Sequence, residues 1–141
     1  DGVYKLSSIN GKPTIKISEN EEKVTLPDSK KIIRYFNKDG SFYSDGIALD
    51  DEENPAVIYH PYIAHRSTIV SQLESEELLH NVVNKGKITI DITSVQESAE
   101  YARMRLSKLN DEHKRFDNPH VYKVGLSKRL RELKIELIQK A

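Results

Sequence analysis

Three glycine-bearing turn signals punctuate the first two thirds of this 141-residue chain and commit it to a succession of β-hairpins. Asn10-Gly11 stands between VYKLSSI and KPTIKISENEEKVTLP, and Asn-Gly favours a hairpin because both central residues of a type I′ turn need positive φ. Lys38-Asp39-Gly40 divides KKIIRYFN from SFYSDGIAL, with the glycine at a left-handed position. Asn84-Lys85-Gly86 divides EELLHNVV from KITIDI. Apolar i, i+4 pairs leave a helix as a rival over residues 75–83, but the turn and the β-branched return strand favour the hairpin. DDEENPAVIYHP reads as an acidic loop leading into a short strand that Pro61 ends.

At Thr93 the period changes from two to 3.6. Ser94 followed by Glu97 is a capping box, and the helix it opens carries the apolar stripe Val95, Ala99, Ala102, Leu106 and Leu109, a spacing that predicts one buried face. DEHKRF forms a short turn that Asn118-Pro119 must break. The strand HVYKVGL follows, and Ser127 caps a last helix with Leu130, Leu133 and Leu137 on one face and Ile135 and Ile138 beside them. The expected class is α+β: hairpin-rich antiparallel segments, then two main C-terminal helices with an intervening short strand.

Composition narrows the function classes. The chain fits one domain, yet only 37% of its residues are hydrophobic against 31% charged, with no Trp, as expected of a modest core or of a piece docked on something larger. Formal net charge is zero, which argues against a dedicated nucleic-acid binder, although residues 103–141 hold 11 Lys/Arg against 5 Asp/Glu. Those cations alternate with apolar helix positions and read as a solvated face. The absence of cysteine excludes a disulfide framework, a thiolate metal site and a Cys nucleophile, and points to a reducing cytoplasm. No run approaches the roughly 18 apolar residues of a membrane span. The start at Asp1, directly before a strand, reads as a cut through a longer polypeptide.

The histidines form no catalytic or metal constellation. His60 and His65 in YHPYIAHR lack HExxH spacing and are separated by Pro61; His80, His113 and His120 are scattered. ENEE and DDEEN lack the alternation and central glycine of a calcium loop and read as solvated. The seven tyrosines read as sheet packing. What remains is the polar face of the segment after Asn10-Gly11. There Ile15 and Ile17 alternate with Thr14 and Lys16, so a strand would aim the Lys16 ammonium away from an apolar face, and Lys23, Thr25 and Lys30 extend a stretch suited to phosphate oxygens. Composition alone makes a solvated Lys16 the ordinary outcome.

DGVYKLSSINGKPTIKISENEEKVTLPDSKK resembles the segment that follows the catalytic barrel in nicotinate phosphoribosyltransferases, whose pattern runs GGVYKLV, a turn, KLSED, EKxTLPGxK. YHPYIAHRSTIVSQLESEELLHNVVNKGKI resembles the family's HP segment, its ELL strand and GK return, and SVQESAEYARMRLSKLNDEHKRFDNPHVYKVGLSKRLRELKIELI its closing helix, NPHxYxVxLS strand and last helix. Asp1 and Asp28 depart from the pattern, each standing where it has Gly. The resemblance implies the C-terminal portion of an enzyme of NAD synthesis that joins nicotinate to 5-phosphoribosyl pyrophosphate. ATP hydrolysis is coupled and magnesium is required; both serve the parent enzyme, and no cofactor or metal is expected on this segment alone. Residues 1–30 would dock on the catalytic core as a hairpin and lysine-rich segment, and residues 31–141 would form the C-terminal α+β domain. The implied partners are the upstream barrel of the same polypeptide and a second copy in a homodimer, with neither nucleic acid nor membrane. The phosphohistidine and the pyridine pocket belong to upstream sequence, so the isolated segment is expected to be inactive and to hold no catalytic residue. Related nicotinamide-using enzymes share the pattern at Tyr4 and Lys16, which implies a phosphate-contacting role for Lys16, with Lys23 and Thr25 behind it. The alternative is a packing or dimerisation module without substrate contact.

Overall fold

The Asn10-Gly11 hairpin forms, with shorter arms than the alternation of residues 14–17 predicts. The computed structural model of the chain describes residues 5–20 and 23–140. Strands β1 (Ser8–Ile9) and β2 (Lys12–Pro13) pair antiparallel, and Asn10 (φ 50°) and Gly11 (φ 73°) supply the two left-handed residues of the turn. The pairing runs one residue beyond Pro13, the Thr14 N–H donating to the Ser7 carbonyl (2.8 Å) in the same register, and from Lys16 the chain pairs instead with Thr25. Ile17 is 44% exposed, so the apolar face expected to fix Lys16 is not buried.

The second turn behaves as its composition requires. Strands β3 (Lys30–Phe36) and β4 (Phe42–Leu49) pair antiparallel across Gly40 (φ 80°). They form the centre of a six-stranded sheet. Its other members are β5 (Val57–Tyr59), β6 (Ser67–Ile69), β7 (Ser75–Glu77) and β10 (Val124–Leu126), in the order β6-β5-β10-β4-β3-β7. The 75–83 segment is therefore not helical, yet β7 leaves the expected hairpin to edge β3. The third turn keeps only a two-residue ladder, β8 (Val83–Asn84) against β9 (Lys87–Ile88), around Lys85 (φ 47°) and Gly86 (φ 78°).

The late strand β10 enters the middle of the sheet, parallel to β4 and antiparallel to β5. Its fit depends on glycine. Gly125 lies in register with Gly46, and a Cβ at Gly125 would stand 2.7 Å from the Ile58 Cβ, so the missing side chains make room for Ile58 to lie over both strands. Alternation along β4 then separates two small cores. Ala48 belongs with Ile33, Tyr35, Ile58 and Val70; Leu49 belongs with Leu126 and Leu130, flanked by Leu26, Ile47 and Leu133.

Helix α2 (Lys128–Gln139) covers the second core, capped by the Ser127 hydroxyl accepting the Leu130 N–H (3.2 Å). Helix α1 (Val95–Ser107) starts at the expected capping box, but none of its residues is buried: Val95 is 89% and Leu106 57% exposed. Contrary to the expectation from its spacing, the stripe is not buried. The stripe does turn toward the sheet, where Ala102, Leu106 and Leu109 border a groove of about 410 Å³ with Arg34, Phe42 and Tyr122. That sheet surface is polar and aromatic, so α1 is held by polar contacts instead: Arg105 pairs with Glu76 (2.8 Å) and lies over the Phe42 ring, and the Lys108 carbonyl accepts the Phe42 N–H (2.9 Å). A single 3-10 turn (Asp111–His113) follows, and Asn118 before Pro119 is left-handed (φ 47°).

Candidate functional site

Thr25 and Lys16 hold one another through the main chain. The Lys16 N–H donates to the Thr25 hydroxyl at 2.8 Å, and the Thr25 N–H donates to the Lys16 carbonyl at 3.2 Å. Thr25 is 6% exposed and its hydroxyl accepts from the Lys16 backbone, while Lys16 itself is exposed. Lys23 is also exposed, two residues before Thr25. The structure thus brings Lys16 and Thr25 together, the lysine exposed and the threonine buried. Tyr4, the other half of the expected pattern, lies outside the described residues. Asp28 keeps the turn where the family pattern has Gly, adopting φ 63°, a conformation that short polar side chains tolerate. Its carbonyl accepts from the Lys30 ammonium, as do those of Leu26 (3.1 Å) and Pro27 (3.2 Å). Burial lowers the Lys30 pKa, against the opposing pull of Asp28.

Between this N-terminal strap, the sheet, the His60–Thr68 segment and α2 lies a cavity of about 840 Å³. Ile47 and Leu126 form part of its floor, and Lys5, Lys30, Arg66, Lys123 and Lys134 border it. The sequence gives no local signal for this cluster, because its members come from five separate segments. On the same face of the sheet, Asp45 accepts two bonds from Arg34 (2.9 and 2.7 Å) and one from the Tyr122 hydroxyl (3.0 Å). The bonds to Asp45 raise the Arg34 pKa, and burial, with the Asp45 charge second, raises that of Tyr122. A paired, hydrogen-bonded triad of this kind orders β3, β4 and the approach to β10 and leaves no reactive group over.

The rings of His60 and His113 bond to or approach the backbone. The His60 Nδ1 accepts the N–H groups of Tyr62 (3.1 Å) and Ile63 (3.0 Å), shaping the turn after Pro61, and His113 Nδ1 lies 2.7 Å from the His120 carbonyl. Among the described residues no three His, Asp or Glu side chains converge as a metal site would require. The DDEEN run is more than a solvated loop. Glu52 accepts the Leu49 N–H (2.6 Å) and the Ser127 hydroxyl, and Asp51 pairs with Arg129 (3.1 Å), so the run ties α2 to the end of β4. Of the tyrosines, Tyr35, Tyr43 and Tyr59 lie on strands, whereas Tyr62, Tyr101 and Tyr122 do not.

A family model described as the nicotinate phosphoribosyltransferase C-terminal domain matches residues 29–134. The chain belongs to the nicotinate phosphoribosyltransferase family. It is 37% identical over 135 residues to the nicotinate phosphoribosyltransferase of Mus musculus, covering 93% of this chain and 25% of that protein. Against the enzyme of Bacillus subtilis (strain 168) the identity is 36% over 135 residues, covering 89% and 27%. The crystal structure of human nicotinic acid phosphoribosyltransferase superposes with a TM-score of 0.76 at 31% identity, over 96% of this chain and 26% of that one. The chain therefore spans about a quarter of the length of the nicotinate phosphoribosyltransferases it matches, and the matched quarter is their C-terminal domain. No helix among the described residues is long and apolar enough to cross a membrane.

Proposed function

We propose that this domain works as part of an enzyme that joins nicotinate to 5-phosphoribosyl pyrophosphate with coupled ATP hydrolysis, and that Lys16 is its contribution to substrate binding. In that reaction the pyridine nitrogen bonds to the anomeric carbon of the ribose while the bond to pyrophosphate breaks. Negative charge grows on the leaving group, and an ammonium already in place stabilises that charge more than it stabilises the bound substrate. The observation that supports Lys16 is its reciprocal pairing with buried Thr25, which fixes the lysine's backbone while leaving its side chain exposed. Lys23 stands behind it on the same strap, and Thr25 is its support. ATP and magnesium belong, on this reading, to the remainder of the polypeptide, and the isolated domain is inactive. The absence of cysteine suits a cytoplasmic setting.

The test is Lys16→Met in the parent enzyme, which keeps most of the stem and removes the charge. Both kcat and kcat/KM for phosphoribosyl pyrophosphate are expected to fall together by about ten- to a thousandfold, as for a charge-assisted donor acting in the transition state. A rise in KM at constant kcat would restrict Lys16 to ground-state binding. Lys12→Met, on β2 beside the turn, is the control and should change little. Parental kinetics in both variants would reduce the strap to a structural element.

A second reading, a domain that offers packing surface to the catalytic region and to a second copy in a homodimer, has its own support. Every residue from 79 to 98 is exposed, including Leu79, Val82, Val83, Ile88, Ile90, Ile92 and Val95. A two-stranded hairpin bearing so many uncovered aliphatic side chains is not stable on its own account and calls for a protein surface against it. The two readings are compatible, since a domain docked by this arm would still present its strap.

A further inference from the structure

In a chain with 22 cationic and 22 anionic side chains, the 840 Å³ cavity is an outlier in composition: five cations border it and, among the described residues, no carboxylate does. Like charges converging on one concavity repel each other, and low-dielectric walls strengthen that repulsion, so the arrangement favours an anion between them. The cations differ in what they can offer. Lys30 spends its donors on the carbonyls of Leu26, Pro27 and Asp28, so it ties the strap over the cavity and adds field. The Lys123 ammonium lies over the Tyr43 ring, 4.5 Å from its centroid, and Lys134 lies over Tyr62 at 5.4 Å. Arg66 follows the His60 turn closely. Its carbonyl accepts the His60 N–H (2.8 Å), and its planar guanidinium suits paired oxygens of a phosphate.

His60 adds a neutral donor. Because its Nδ1 accepts two backbone N–H groups, the ring proton sits on Nε2, leaving that nitrogen to donate to a ligand. Hydroxyl-bearing Thr68 and Ser7 also border the cavity, and Ile47, Leu126 and Tyr62 supply apolar and aromatic wall. The volume lies within the range of small-molecule sites. We infer that this cavity binds a phosphate-bearing small molecule of about nucleotide size, its phosphates held by Arg66 and Lys5 with His60, its remaining atoms against Ile47, Leu126 and Tyr62. The site is separate from the strap's proposed substrate contact, since neither Lys16 nor Lys23 borders the cavity.

The experiment is a titration of the ¹⁵N-labelled chain with adenosine diphosphate and, separately, with inorganic pyrophosphate, at constant ionic strength. Saturable shifts are expected at the amides of Thr25, Arg66, Gly125 and Leu126, with adenosine diphosphate binding more tightly than pyrophosphate because it also meets the apolar wall. Arg66→Gln should weaken binding by about tenfold or more, and Lys5→Gln by a smaller factor. Lys85→Gln, the same charge change on the distant third turn, should leave binding unchanged. No saturable shift with either probe up to about 10 mM would overturn the proposal, as would equal weakening by Arg66→Gln and Lys85→Gln, which would signify attraction by diffuse charge alone.

Discussion

The two helices of this domain have similar lengths and opposite economies. Helix α1 has the more complete start, Ser94 and Glu97 each satisfying the other's backbone, and yet buries nothing; α2 starts on a single serine hydroxyl and buries Leu130 completely. Capping and periodicity are local properties that decide where a helix forms. What a helix contributes to tertiary stability depends on the surface opposite its apolar stripe. For α2 that surface is the Ile47, Leu49 and Leu126 side of the sheet, whereas α1 meets Arg34, Phe42 and Tyr122 across an open groove.

The sharpest way to break this contrast is to shorten one leucine on each helix. Leu130→Ala should cost about 2 to 5 kcal/mol, the transfer of the lost methyls plus the cavity they leave, while Leu106→Ala should stay within about 0.5 kcal/mol. Urea denaturation of the two variants measures both. Comparable losses would mean that α1 closes onto the sheet in solution. In a full-length parent enzyme the Leu106 effect should grow if the catalytic region covers the stripe.

The contrast also marks what the sequence made legible. All three glycine turns and both serine caps form where expected, because each rests on a φ preference or a side chain reaching a backbone group within three residues. Hydrophobic periodicity likewise locates α1 and identifies its apolar face, but periodicity says nothing of what lies opposite, and Leu106, expected to be buried from its place on the stripe, is exposed. The insertion of β10 between β4 and β5 depends on Gly46 and Gly125 meeting in register under Ile58, a match between distant segments with no local signature. For the strap, alternation suggests a strand over residues 14–17, whereas the hairpin pairing ends at Ser7 and Thr14, and Lys16 takes Thr25 as its partner instead. The Thr25 hydroxyl, suited to phosphate by its chemistry, also accepts the Lys16 N–H, a pairing across nine residues that has no local signature.

A smaller effect tests whether α1 folds as an appendage. Ser94→Ala removes the cap and should cost about 1 kcal/mol, confined to its own helix. Hydrogen exchange should quicken over residues 95–107 and stay unchanged over 128–139, since few contacts pass a local opening of α1 to the core. A matching loss of protection in α2 would show that the two helices unfold as one unit.

The smallest expected effect follows from acid. Glu97 accepts the Ser94 N–H and the Ser94 hydroxyl, both at 2.7 Å, and these bonds hold its carboxyl below the usual value of 4.5. A carboxylate with a depressed folded pKa contributes stability that is present above its unfolded pKa and is lost as pH falls through the folded one. The first turn of α2 contains no acidic residue of its own; the carboxylates that face it are Glu52, which accepts from the Ser127 hydroxyl, and Asp51, which its bond from Arg129 holds below the usual value of 3.8. Lowering the pH from about 6 to about 3 should therefore reduce the helical ¹³Cα shifts of residues 95–98 before those of residues 128–131. In Glu97→Gln the amide oxygen can still accept from Ser94, so the α1 shifts should become insensitive to pH over that interval. Should the two helices titrate together in the parental chain, or α1 keep its pH dependence in Glu97→Gln, the acid response would belong to the whole fold, and α1 would be bound to the body of the domain more closely than its exposed stripe implies.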